Sequence, residues 1–256
     1  MTLIVNEICA YQGLNKTIVV AAADQLIMTP DGKQVRRKKL FEIPYLRGTV
    51  SYFGLAEVFP DGRRQDLSAW LPAFIREHSA IADFETFAMR LREALHGVVP
   101  EAALRNNPSG FHISGFNSHG LPDFWFLTNV GHFEEFQYRC LRARYGLPES
   151  HFLGRDAKNL GWDGRDPSSV RNSQLQTYRN GDIRAHVAVW NLLDRALTEL
   201  TQLPGHPRFR RPTTPAEYGK WVKFKFEVIA YFYKKWATKQ IVARPIDVCV
   251  LDKGFE

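Results

Sequence analysis

Residues 2–9 read TLIVNEIC and residues 17–24 read TIVVAAAD. Each is a short run of mostly β-branched and apolar residues, and a polar break around Gly13 separates them, which predicts two neighbouring β-strands. The second run ends in Asp24, and a carboxylate beside so apolar a run is costly to bury unless a cation pairs with it. These two runs therefore predict the centre of a sheet with a buried charge at its end.

The spacing of apolar residues predicts further elements along the chain. Strands are expected at 39–43, 48–52, 112–116, 124–128 and 246–251, with a turn at 29–33. Helices are expected over 67–75, from an Asp83 N-cap to residue 95, over 182–200 and over 216–239. The apolar faces of the last two helices are Ile183, Val187, Trp190, Leu193 and Leu197, then Val222, Phe226, Ile229, Tyr233 and Trp236. Strands and helices do not alternate one by one, so we expect an α+β chain with sheets packed against each other and helices outside.

The composition argues against several classes of protein. The 256 residues are 45% hydrophobic, which is enough for a large core, and we expect one domain. No run approaches the roughly 18 apolar residues of a membrane helix, and no secretory signal pattern opens the chain, so we expect a cytoplasmic protein without membrane contact. Three distant cysteines and eight scattered histidines predict reduced thiols and no metal site.

The charge of the chain leaves nucleic acid open as a partner. The formal net charge is +7, and basic residues are densest at 36–39 and 208–212. In KWVKFKF, residues 220–226, basic and aromatic residues alternate as they do on surfaces that bind single strands. The helical stripe from Val222 to Trp236 explains the aromatic residues more simply as packing. A basic nucleic-acid-binding module is therefore an alternative, and nucleic acid is not the expected partner.

Thr2 directly follows the initiator methionine. Removal of Met1 would place a hydroxyl and an α-amine on one residue, and an amine with a pKa of about 7.7 to 8.0 can accept the hydroxyl proton near neutral pH. Asp24 predicts a cation nearby, and because adjacent strand residues face opposite sides, only one of Lys38 and Lys39 can face it. Asp24 and the lysine that faces it form either a plain buried salt bridge or a pair in which the lysine also lowers the pKa of the Thr2 α-amine.

Three stretches together resemble the front of proteasome-type subunits, which are N-terminal nucleophile hydrolases. They are TLIV at 2–5, VVAAADQ at 19–25 and RRKKLFEIPYLRGTVSYFGLAEVF at 36–59. The hairpin GFNSHGLPDFWF at 115–126 and the closing ARPIDVCVLD at 243–252 fit the same outline. The resemblance runs well through about the first 130 residues and only in outline through the last 75.

The resemblance implies a four-layer αββα sandwich, two antiparallel sheets between helix layers, in a single domain over 1–256. An irregular insertion at about 140–180 and an extended helical region at about 182–239 exceed a compact family member. The implied assembly is a homo-oligomeric ring without a cofactor. Its substrate would be a peptide or an unfolded protein, and an ATP-dependent unfoldase would be a further partner.

The resemblance also assigns roles at the site. Thr2, once Met1 is removed, would attack the carbonyl of a peptide bond with its own amine as base. Lys39 would tune that amine, and Asp24 would orient Lys39. The backbone N–H groups of Phe53 and Gly54 would form the oxyanion hole.

Several departures favour an alternative, a non-catalytic proteasome-like structural or interaction subunit. Catalytic subunits have Gly-Gly where this chain has Phe53-Gly54, and a phenylalanine there could crowd a substrate cleft. The supporting serine of a Gly-Ser-Gly has no counterpart in HFLGRDAKNLG, which offers Arg155 and Asp156. The accessory Asp with its following Ser is missing from WATKQIVARP at 236–245. The position of Thr2 at the start of the first strand nevertheless favours the catalytic β type.

Overall fold

The computed structural model describes residues 2–10, 16–28, 33–131, 135, 137–142, 175–205 and 208–254. Within them lie thirteen strands and five α-helices. The strands are β1 (Leu3–Ala10), β2 (Thr17–Asp24), β3 (Leu26–Met28), β4 (Gln34–Arg36), β5 (Leu40–Ile43), β6 (Gly48–Phe53), β7 (Glu57–Val58), β8 (Gln65–Asp66), β9 (Gly110–Phe116), β10 (Pro122–Thr128), β11 (Arg139–Arg142), β12 (Leu175–Gly181) and β13 (Ile246–Lys253). The helices are α1 (Leu67–Glu77), α2 (Phe84–Val98), α3 (Glu101–Asn106), α4 (Arg184–Gln202) and α5 (Pro215–Trp236).

The first sheet is centred on the two runs that open the chain. Its strand order is β12-β1-β2-β13, and each neighbouring pair is antiparallel. The register pairs Ile4 with Ala23 and Asp24 with Ile246. All eight residues of β2 are buried, as expected for a central strand covered on both faces.

The second sheet has the strand order β11-β10-β9-β6-β5, again with antiparallel neighbours. Two-stranded ladders, β3-β4 and β7-β8, lie outside the two larger sheets. Helix α2 begins as the sequence predicts, because the Asp83 carboxylate accepts a hydrogen bond from the backbone N–H of Thr86 at 2.7 Å.

Three clusters of buried apolar residues account for the packing. One joins the second sheet to α1, α2 and α3, and another joins the first sheet to α4 and α5. The remaining cluster lies between the two sheets, where Ile4 and Val19 of the first share a core with Phe53 and Phe126 of the second. Successive residues of β1 point to different cores: Leu3 and Val5 face the helices, and Ile4 faces the other sheet.

A buried polar network also links the two sheets. Asn6 Nδ2 donates to His112 Nδ1 at 2.8 Å, and His112 Nε2 donates to Asn180 Oδ1 at 2.6 Å. Ser114 donates to Asn6 Oδ1 at 2.7 Å, so that the amide of Asn6 uses both its ends. Strands β1 and β12 of the first sheet are thereby tied to β9 of the second. Burial lowers the pKa of His112 to about 3, which keeps the imidazole neutral.

A second buried network holds α4 and α5 on the first sheet. Lys225 of α5 donates to Glu7 of β1 at 3.0 Å and to Asp194 of α4 at 2.9 Å. Tyr218 donates to the Glu7 carboxylate at 2.9 Å, and the indole of Trp190 donates to the same carboxylate. The carboxylate of Glu7 and the ammonium of Lys225 are fully buried, so each supplies the charge that the other requires.

The strands predicted from apolar runs are all present, within two residues of the predicted bounds. The predicted turn at 29–33 lies mostly outside the described residues. The sequence did not predict helix α3 or the strands β3, β4, β7, β8, β11 and β12. Of these strands, β11 and β12 fall at the ends of the stretch read as irregular. Strand β12 has a polar sequence, and its inward side chains find partners on the second sheet. Asn180 is bonded to His112, and the ring of Tyr178 stacks on Phe124 with centroids 3.9 Å apart.

Two predicted helix faces need correction. Val187 of α4 is 49% exposed. The buried face of that helix carries Trp190, as predicted, together with His186. Trp236, predicted to continue the stripe of α5, is 69% exposed, whereas Val222, Phe226, Ile229 and Tyr233 are buried as predicted. Among the described helices, none combines the length and the apolar character needed to cross a bilayer.

We predict that His112 makes the fold sensitive to acid. The unfolded chain binds a proton at His112 below about pH 6.5, and the folded chain does so only near pH 3. The contribution of His112 to stability is therefore complete above about pH 6.5 and is lost as the pH falls from there to 3, by up to about 1.4 kcal/mol per pH unit. The measurement is the free energy of unfolding in urea at pH 7, 6, 5 and 4.

The control is His112→Gln, whose amide can accept from Asn6 and donate to Asn180 but does not titrate. The variant is expected to lose less stability than the wild type over the same pH range. Equal pH slopes for both proteins would contradict the prediction.

Candidate functional site

Thr2 lies immediately before β1, and its side chain is held by Asp24 at the end of β2. The Thr2 hydroxyl donates to Asp24 Oδ1, and the backbone N–H of Leu3 donates to the same oxygen at 3.1 Å. The other carboxylate oxygen accepts from the backbone N–H of Leu26 at 3.0 Å. Thr2 is 3% exposed and Asp24 is fully buried. The direct bond between Thr2 and Asp24 was not foreseen from the sequence, which predicted only that Asp24 would bind a lysine.

Lys39 completes this cluster. It precedes β5, it is 1% exposed, and its ammonium donates to Asp24 Oδ1 at 3.2 Å, to the Thr2 hydroxyl oxygen and to the backbone carbonyl of Leu26. Lys38 is exposed and lies over the ring of Phe41 at 5.4 Å, so the neighbouring lysines face opposite sides as predicted. Burial lowers the pKa of Lys39, and Asp24 opposes this effect by attracting the charged form.

The end of β12 lies against the main chain of Thr2. The backbone N–H of Asp182 donates to the Thr2 carbonyl at 2.7 Å. Gly181 has a φ of +96°, and a Cβ at this position would come within 2.0 Å of the same carbonyl oxygen, so only glycine fits. Neither residue was predicted from the sequence to belong to the site. The signal available was the dipeptide Gly181-Asp182 between a strand and a helix, but the polar strand before it concealed the pattern.

The carboxylate of Asp182 is itself anchored. It accepts from the guanidinium of Arg184 and from the hydroxyl of Tyr233 on α5. Burial favours the neutral acid, but the hydrogen bonds from Arg184 and Tyr233 outweigh it and lower the pKa of Asp182. Asp182 is therefore an ionised group that is 4% exposed and lies beside Thr2.

Phe53 is the last residue of β6, and Gly54 follows it. The ring of Phe53 stacks on Phe126 with centroids 6.3 Å apart and belongs to the core between the sheets, at 4% exposure. The phenylalanine thus packs inside the protein, contrary to the expectation that it could crowd a cleft. Gly54 has a φ of +79°, and a Cβ there would come within 1.9 Å of the Pro108 carbonyl oxygen, so this corner requires glycine.

The remaining sequence-based candidates add nothing to the cluster. Arg155 and Asp156 lie outside the described residues. Within the described ranges, no group of three or more His, Cys, Asp or Glu side chains is arranged to hold a metal ion. In the KWVKFKF stretch, Val222, Lys225 and Phe226 are buried, whereas Lys220, Lys223 and Phe224 are exposed, so the stretch has one face on the protein interior and one on the surface.

The fold was compared with those of known proteins. No protein-family model matches the chain, and no curated protein matches it. Solved structures do match, and one of them is "Anbu (ancestral beta-subunit) from Yersinia bercovieri". Its fold is similar to that of this chain. The TM-score is 0.50 over 99% of this chain and 83% of the Anbu chain, at 10% sequence identity. At this identity the likeness concerns the fold alone, and it is compatible with a distant proteasome-like relationship.

We predict that the pair of Asp24 and Lys39 is essential to the stability of the fold. Lys39→Met should cost about 3–5 kcal/mol in the free energy of unfolding, because it leaves a buried carboxylate without its cation. Asp24→Asn should be comparably destabilising. The double variant should lose less than the sum of the two single losses, because it removes both charges together. The measurement is urea unfolding of the three variants at pH 7.

A matched control is Arg90→Met, which removes a cation paired with Glu93 at 2.9 Å on the surface. That change should alter stability by at most about 1 kcal/mol. Additive losses in the Asp24 and Lys39 variants would show that the two charges do not support each other.

Proposed function

We propose that the protein is a proteasome-like N-terminal threonine hydrolase that cleaves peptide bonds with Thr2 as nucleophile. The observation that carries the proposal is the convergence of Thr2, Asp24 and Lys39 in one buried cluster. The fold similarity to Anbu, an ancestral beta-subunit, supports the same proposal. Whatever precedes Thr2 must be removed, since the reaction needs its free α-amine as base.

The proposed reaction uses the contact of Lys39 with the Thr2 hydroxyl, whose hydrogen bond to Asp24 is replaced by one to the α-amine. Lys39 donates to the hydroxyl oxygen and so stabilises negative charge as the proton leaves. The hydroxyl proton passes to the α-amine, and the oxygen attacks the peptide carbonyl. The C–N bond then breaks, the amine product takes the proton, and an ester on Thr2 remains that water hydrolyses. Backbone N–H groups of Phe53 and Gly54 are the proposed donors to the oxyanion.

The proposal extends to architecture and assembly. The two sheets and the helix groups on their outer sides would form the four-layer αββα sandwich of N-terminal nucleophile hydrolases, with residues 1–256 as one domain. Copies of the chain would assemble into a ring. The mass of the assembled protein in solution, measured by light scattering, would be a multiple of the monomer mass.

A second candidate function is that of a non-catalytic proteasome-like subunit. The observation that favours it is the burial of Thr2, which leaves its hydroxyl closed to a substrate peptide. In this case the cluster of Thr2, Asp24 and Lys39 would act as a structural tie between β1, β2 and β5.

The test exposes Thr2 deliberately. The chain is expressed as a fusion that a protease cuts directly before Thr2, and it is then treated with a peptide epoxyketone, which reacts with a hydroxyl and an α-amine on one residue. The cut protein is expected to form a covalent adduct on Thr2, seen by intact mass, and to cleave fluorogenic peptides. The uncut fusion has no free amine and should do neither.

Two variants serve as controls. Thr2→Ser keeps both reacting groups and should retain the adduct, whereas Thr2→Ala should lose the adduct and the peptidase activity by at least about 10³-fold. An exposed Thr2 that gives neither adduct nor hydrolysis would rule out the hydrolase and leave the non-catalytic candidate.

A further inference from the structure

We infer that Tyr233 of α5 and Asp182 position Thr2 for its reaction, so that the last turn of an outer helix controls the geometry of the nucleophile. The inference rests on the proposed hydrolase function for its kinetic consequence, but the positioning itself can be tested without any reaction. Neither residue carries a role in the chemistry proposed for Thr2, Asp24 and Lys39.

Asp182 contacts Thr2 through its main chain. The 2.7 Å bond from the Asp182 N–H reaches the carbonyl of the reacting residue itself. Gly181 packs against the same carbonyl so closely that no side chain fits. The main chain of Thr2 is thus located from one side by β12, whereas Asp24 and Lys39 hold its side chain from another.

Asn180–Asp182 is the turn in which β12 ends at Gly181 and the chain continues toward α4, and it is anchored at both ends. Asn180 accepts from His112 of the second sheet at 2.6 Å. Asp182 accepts from the Tyr233 hydroxyl, and its carboxylate also accepts from the backbone N–H of Arg184 at 3.2 Å, which shapes the start of α4. The turn therefore connects Thr2 to the second sheet, to α4 and to α5.

Arg184 and Tyr233 both anchor the Asp182 carboxylate, but they differ in burial. Arg184 is largely exposed, so its ion pair with Asp182 is screened by solvent. Tyr233 is buried, and burial and Asp182 raise its pKa to about 12, so the hydroxyl remains a neutral donor at every working pH. A buried donor in low dielectric holds its partner more firmly than an exposed cation does. Tyr233 is thus the anchor whose loss should release the turn.

The chain supplies a matched control on the same helix. Tyr218 of α5 is also buried, and its hydroxyl also donates to a carboxylate of the first sheet, Glu7, at 2.9 Å. Glu7 lies on β1, five residues beyond Thr2, and faces the helices. Tyr233→Phe and Tyr218→Phe therefore remove the same group from equivalent surroundings, but only the former touches the turn beside Thr2.

The first experiment measures amide hydrogen exchange by NMR in the full chain. Tyr233→Phe is expected to speed exchange of the Asp182 amide, which is bonded to the Thr2 carbonyl, by about tenfold, and Tyr218→Phe is expected to leave it unchanged. Both variants should lower the melting temperature by a similar few degrees. Equal exchange of the Asp182 amide in the two variants would overturn the inference, whether or not the protein is a hydrolase.

The second experiment measures the rate of epoxyketone adduct formation on exposed Thr2. Tyr233→Phe should slow the reaction by roughly 10 to 100-fold, since displacement of a nucleophile by about 1 Å has effects of this size. Tyr218→Phe should change it less than twofold. Asp182→Asn, which keeps an acceptor for Tyr233, should retain more activity than Asp182→Ala.

The two failures are distinguishable. A wild type that forms no adduct would refute the proposed function while the exchange data still decide the positioning role. A reactive wild type with equal rates in Tyr233→Phe and Tyr218→Phe would preserve the hydrolase and overturn the inference.

Discussion

The structure depends on how the charge of Asp24 is satisfied. This carboxylate ends a strand whose eight residues are all buried, and an ion without partners in such surroundings would cost several kcal/mol. Two backbone N–H groups, one hydroxyl and one ammonium surround it. To supply them, the start of β1, the start of β3 and the residue before β5 must all come to one point. The candidate site is thus the place where three segments meet to solvate one buried charge.

The same physical rule operates at other buried groups among the described residues. Glu7 is fully buried and is matched by Lys225 of α5, and the neutral His112 is matched by Asn6 and Asn180. Apolar contact alone is non-directional, so it would allow one layer to shift over the next. The hydrogen bonds at these buried groups form in one register only, because a shift would leave a buried polar group without a partner. The position of the two sheets over each other, and of α4 and α5 over the first sheet, is therefore set at these polar contacts.

Thr2 is held in place by two different parts of the fold. Thr2 is held through its hydroxyl by Asp24 and Lys39 and through its carbonyl by Asp182, so its side chain and its main chain are located by different parts of the fold. A nucleophile gains from such fixed geometry, because positioning replaces entropy that the reaction would otherwise lose. The hold on the main chain continues the antiparallel pairing of β1 with β12, in which Leu3 pairs with Gly181.

Apart from the grouping of Thr2 with Lys39, which the resemblance to proteasome-type subunits supplied, the sequence by itself determined the strands built from apolar runs, the helix that begins after Asp83 and a charge at Asp24 that requires one of two lysines. These are properties of local pattern: apolar runs, a capping residue, and a charge whose burial demands a partner of opposite sign. The sequence also predicted that only one of the two neighbouring lysines would face Asp24, because strand geometry alternates.

The tertiary structure decided the rest. It showed that polar strand β12 is an ordered part of the first sheet, since its Asn180 and Tyr178 find partners on the other sheet. It placed Gly181, Asp182 and Tyr233 around Thr2, and it turned Phe53 into the core between the sheets. These contacts join residues that are 50 or more positions apart in the chain, and no local pattern records which distant partner will satisfy a buried polar group.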